Sequence, residues 1–73
     1  MLDIKVGDRV LCMNYTQSES FLVLGSIKQQ EVSWRDYRSR DSRSVVVSFY
    51  GMNETSGAIY LVVRNILLLK RLA

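Results

Sequence analysis

Two runs rich in β-branched and aromatic residues, Ser44 to Tyr50 and Ala58 to Val63, flank a segment from Gly51 to Gly57 that supplies Asn, Ser and two glycines. Such side chains suit a pleated surface, and Gly, Asn and Ser suit a reversal between two strands, so this region predicts a β-hairpin. No other part of the chain narrows the choice of fold as far.

The remaining segments divide in the same way. Val6-Gly7-Asp8 reads as a turn, since glycine tolerates positive φ and Asp can bond its own backbone; it leads into a first strand over Arg9 to Met13. Asn14 to Ser20 is small and polar and predicts an exposed loop before a second strand near Phe21-Leu22-Val23-Leu24. Gly25 interrupts that strand, as at a bulge or the bend of a small barrel, and Ser26-Ile27-Lys28 can continue it. Gln29 to Trp34 is weakly extended, and Arg35 to Arg43 predicts the longest loop. After Arg64-Asn65, Ile66 to Leu69 suits one helical turn followed by a closing strand. A helix over Tyr60 to Leu72 is the rival reading, because Val62, Ile66 and Leu69 would share a face. The β-branched cluster Ile59, Val62 and Val63 favours strand instead.

A chain of 73 residues forms one domain, 1–73, and such a domain removes only about 60% of its unfolded surface from water. Hydrophobic residues make up 48% of it, enough for a packed core. Ten basic residues against seven acidic ones leave +3, which favours polyanions or acidic partners. The lone Cys12 has no intrachain partner, and no export signal precedes Leu2-Asp3-Ile4-Lys5, so a cytoplasmic location is expected. The apolar stretch from Ala58 to Leu69 is broken by Arg64 and Asn65 and is too short for the roughly 20 residues of a membrane span, so no membrane partner is expected.

The order of parts, with Val6-Gly7-Asp8-Arg9-Val10 at the start, a variable loop, central strands, a hairpin and a helical turn before the last strand, resembles the SH3-like small β-barrels. Within that superfamily, Val45-Val46-Val47-Ser48-Phe49 with Met52 to Gly57 looks like the paired strands of the small photosystem I subunit that helps dock ferredoxin. Gly7-Asp8-Arg9-Val10 and Ile59-Tyr60 look like the opening and the Ile-Tyr strand of the plasmid-borne dihydrofolate reductase. In the reductase family a glutamine precedes that pair and lysines line the pore, whereas this chain has Ala58, and Cys12 and Met13 near the lysine positions. Val6 to Ile27 is also similar to the OB-type barrel strands of phage tail-hub proteins. These resemblances imply an all-β fold, a small five-stranded SH3-like barrel with one short helical turn before the last strand, with the OB-type barrel as the alternative.

The chain has no histidine, which removes the commonest general base near neutral pH, the usual catalytic dyads and triads, and most zinc sites. Cys12 therefore reads as a buried core thiol, the carboxylates of Asp3, Asp8, Asp36 and Asp41 as surface acids, and the scattered glycines as turn and bend residues. No catalytic residue, metal or cofactor is expected. The segment from Trp34 to Arg43 has functional character. Arg35, Arg38, Arg40 and Arg43 can engage phosphates while Trp34 and Tyr37 stack on bases, or the same residues can meet an acidic protein surface. The alternative is a solvated loop with Trp34 packed inward as a plug. A strand through Leu67-Leu68-Leu69 would expose leucine on one face, which suggests a homo-oligomer. The expected function is a non-catalytic module that binds nucleic acid or an acidic protein through this segment. The alternatives are a structural subunit of a larger assembly, such as a phage tail or electron-transfer complex, and, less favoured, an enzyme built only by oligomerisation.

Overall fold

Gly7 turns the chain at φ +92°, Asp8 Oδ2 accepts from the Lys5 N–H at 2.9 Å, and strand β1 (Arg9–Met13) starts at the next residue. The computed structural model describes residues 2–35 and 41–73. Four further strands follow: β2 (Ser18–Arg35), β3 (Asp41–Asn53), β4 (Ile59–Asn65) and β5 (Leu69–Arg71), with a 3-10 turn over Ile66–Leu68 just before β5. The fold is all-β.

The strands form one antiparallel sheet in the order β4-β3-β2-β1-β5. β1 is a central strand, with Val10 opposite both Phe21 of β2 and Arg71 of β5. The helix over Tyr60 to Leu72 does not form; strand, turn and strand occupy that segment, in keeping with its β-branched residues. The sheet is not closed by hydrogen bonds into the expected barrel. β5 is three residues long and its ladder is to β1, so it offers little edge on which β4 could dock.

Alternation along the strands directs one set of side chains to a common core: Ile4, Val10 and Cys12, Phe21 and Val23, Val47 and Phe49, Val62, and Leu69. Every strand contributes. Fully burying a side chain of this kind is worth roughly 1.5–3 kcal/mol, so these few residues carry most of what favours folding. Phe21 and Phe49 meet edge to face, centroids 6.4 Å apart and planes at 79°. Gly51 is buried beside them and leaves room for both rings.

The β2–β3 register slips twice, between Val23 and Gly25 and again between Gly25 and Lys28. The bulge foreseen at Gly25 is there, but the left-handed residue is its neighbour Ser26, at φ +53°. Both extra residues lie in β2, so β3 alternates without interruption through the inward-facing Phe49 and Val47, and the second slip brings β2 back into step with it, with Ile27 packed against the core. β2 begins at Ser18, so Ser18 to Ser20 belongs to a strand and the β1–β2 connection shortens to residues 14–17.

The β3–β4 connection is held by Asn53, whose Oδ1 accepts from the N–H groups of Thr55 at 2.9 Å and Ser56 at 3.1 Å. Gly57, at φ +77°, donates its N–H to the Asn53 carbonyl. Asn65 caps the 3-10 turn by accepting from the Leu67 N–H at 2.9 Å. Leu67 and Leu68 therefore stand in that turn and not in a strand, Leu67 81% exposed, while Leu69 is buried at the start of β5.

Candidate binding arm

Beyond Lys28, β2 runs on to Arg35 in unbroken register with β3, from Lys28 opposite Ser48 to Arg35 opposite Asp41. β4 ends at Asn65 opposite Val46, and β1 reaches only as far as Leu22, so the outer part of this hairpin has no third strand. It is a two-stranded ribbon wetted on both faces. The molecule measures 41 × 25 × 19 Å with a radius of gyration of 13.3 Å, against about 11 Å for a compact chain of this length. The ribbon is an arm.

The expected loop over 35 to 43 is corrected at both ends, since Arg35 ends β2 and Asp41, Ser42 and Arg43 begin β3. Polar residues on both faces hide such a ribbon from any search for hydrophobic alternation; its backbone ladder forms without a core. Trp34 is 49% exposed and lies opposite Ser42, so it is not an inward plug: the core ends at Val47, well short of it.

Register sorts the arm into two faces. Val32 and Trp34 share one with Ser42 and Ser44; Arg35 and Arg43 share the other with Glu31 and Ser33. Arg43 Nη1 lies 3.4 Å from Glu31 Oε1, with both side chains well exposed, so water and salt screen the pair and hold it weakly. Tyr37, Arg38 and Arg40 lie outside the described residues. From Lys28 to Arg43 the sequence carries five basic and three acidic residues, which is +2 of the chain's +3.

Cys12 is buried on β1 and its thiol is pushed up to about 11, chiefly by burial, with Arg64 opposing and Glu19 reinforcing the shift. A thiol held protonated is a core group and a poor nucleophile. On the far side of the sheet from the core, Arg9 Nε lies 3.0 Å from both oxygens of Glu54, and the Ser20 hydroxyl donates to the same carboxylate. The Arg9 hydrogen bond, then that of Ser20, holds the Glu54 carboxyl below its usual range. Sequence reading gave no sign of this cluster, because its members meet only through the β1–β2 ladder and the β3–β4 turn. An apolar depression between the β1–β2 connection and the 3-10 turn is lined by Met13, Asn14, Tyr15 and Leu68.

Among the described residues no group of three or more His, Cys, Asp or Glu side chains is placed to hold a metal ion, and no helix is long and apolar enough to cross a membrane. Comparison of the chain with protein-family models, with curated proteins and with solved structures finds no match.

Proposed function

We propose that this chain is a non-catalytic binding module, an open member of the SH3-like small-barrel class whose arm engages nucleic acid. The class assignment is supported by the strand order β4-β3-β2-β1-β5, the Gly7-Asp8 turn ahead of β1 and the 3-10 turn between β4 and β5. The binding assignment rests on one observation above all, the projection of a ribbon that carries Trp34 on one face and Arg35 and Arg43 on the other. A two-stranded ribbon fits the major groove, exposed indole stacks on unpaired bases, and guanidinium groups pair with phosphates. A non-catalytic role agrees with a chain that has no histidine and keeps its single thiol protonated. That lone buried thiol also suits a reducing, cytoplasmic setting.

The test is fluorescence anisotropy of labelled single- and double-stranded DNA and RNA at two salt concentrations. It compares the native chain with Trp34→Ala and with a variant in which Arg35, Arg38, Arg40 and Arg43 are all alanine. Binding that weakens with salt, with a shallower salt slope in the arginine variant, is the expected result. Absence of binding to all four probes at low salt overturns the nucleic-acid assignment and directs the search to acidic protein surfaces.

A further inference from the structure

The sheet ends on β5 at one side and on β4 at the other. β5 is three residues long and carries Lys70 and Arg71, so it offers another strand little to pair with. β4 is the longer edge, seven residues from Ile59 to Asn65. The Ala58 carbonyl accepts from the Asn53 N–H at 2.8 Å, and by alternation from there Tyr60, Val62 and Arg64 turn their backbone groups toward β3. Those of Ile59, Leu61 and Val63 point away from the sheet. Ala58 to Val63 has no charge, proline or glycine, and apart from Ala58 and Leu61 it is all β-branched or aromatic. Such a composition favours the addition of strand to strand. Arg64, the one charged residue of β4, stands at the end of that run. It shares the core side of β4 with the fully buried Val62 but is itself only half-buried. Its guanidinium turns to the open edge, where Nη1 donates to the Val63 carbonyl at 2.8 Å.

We propose that Arg64 guards the β4 edge, denying it to a strand from another chain, a second copy of this one included. Two effects act together. The guanidinium occupies an outward carbonyl that an incoming strand needs for its own ladder. A strand added beyond β4 also extends the core side of the sheet, and there it would cover a charge and strip it of water. The position of the guanidinium fits the second effect, since its charge is felt at the buried Cys12 across the core. An inward-pointing charge at the end of an apolar edge strand leaves the strand's own packing intact while spoiling any continuation of the sheet. The two edges are thus protected by different means, β5 by its shortness and β4 by one side chain.

The guard is independent of what the arm binds, and its test uses no ligand. Sedimentation velocity on the full chain between about 1 and 100 µM follows self-association, with far-UV circular dichroism and thermal melts on every variant. Arg64→Thr keeps the strand preference and removes both the charge and the donor; it is expected to self-associate at least tenfold more tightly than the native chain. Lys70→Thr removes the same charge from β5 and is expected to behave as the native chain does. Adding Leu61→Lys to Arg64→Thr returns a charge to β4 and is expected to reverse the association. An Arg64→Thr chain no more associated than the native one overturns the proposal. So does equal association of Lys70→Thr, which would make net charge the cause, or association that survives Leu61→Lys, which would place the contact elsewhere. Arg64→Gln takes the place of Arg64→Thr if that variant unfolds, and is read against the same outcomes.

Discussion

A methyl group on Gly51 would stand 2.8 Å from an edge carbon of the Phe49 ring and 3.3 Å from the ring of Phe21, so the glycine is the space into which the two rings pack. Neither ring is a flexible chain end. Gly51→Ala is expected to destabilise the fold by about 1–3 kcal/mol through overpacking, read as a lower urea midpoint with an unchanged slope. A midpoint equal to the native one would mean that the rings can move aside at no cost.

Asn53 is buried and spans two backbone donors of the β3–β4 turn. Asn53→Ala leaves the Thr55 and Ser56 N–H groups without that acceptor and is expected to cost about 1–2 kcal/mol, whereas Asn53→Asp retains the acceptor and should lose less. Chemical denaturation of the two variants side by side gives the comparison, and equal losses would argue against the hydrogen bonds as the cause.

Ser26 holds a left-handed backbone at φ +53°. Ser26→Gly is expected to raise stability by a few tenths to about 1 kcal/mol, because relief at this φ outweighs the added freedom of the unfolded chain. Ser26→Val, β-branched at the same φ, should lower it by more. The pair of melting temperatures decides the sign.

These positions also mark what could be read in the sequence. β1, the hairpin of β3 with β4, the helical turn and the core placement of Cys12 were legible, because each couples a local turn signal to a buried alternating strand. The arm was not. Its strands bury neither face, so a real ladder from Lys28 to Arg35 looked like a weak strand and a loop, and Trp34 looked like a candidate plug. Gly25 announced the bulge correctly yet pointed one residue away from the strained backbone. For the candidate site, the sequence singles out a segment but does not sort it into an aromatic face and an arginine face, since that sorting depends on register across the hairpin.

Glu54, held below its usual range by Arg9 and Ser20, binds its proton less readily in the folded chain than in the unfolded one. Its contribution is therefore present above the ordinary carboxyl value of 4.5 and is lost as pH falls through the lower folded value. Acid titration of the native chain against Glu54→Gln is expected to show a shallower loss of stability in the variant. Added salt should shrink the difference, because the pair is exposed.

Cys12 shifts the other way. With its thiol raised from 9.0 to about 11, its contribution is complete below pH 9 and declines as pH rises toward 11. Labelling with a thiol-reactive disulfide at pH 8 should be slow in the native chain and fast in urea. Rapid native labelling would show that the β1 core is open to solvent.

β1 takes one neighbour, β2, from the residues that directly follow it, and the other, β5, from residues 69–71. The two hairpins made by β2, β3 and β4 close over short separations, whereas the β1–β5 ladder waits for one that spans nearly the whole domain. Loop closure of that length is slow, so the hairpins should form first and β5 should dock last. During synthesis the consequence is sharper: until residues 69–71 leave the ribosome, the nascent chain carries β1 with a bare edge, open to pairing with any other strand that reaches it.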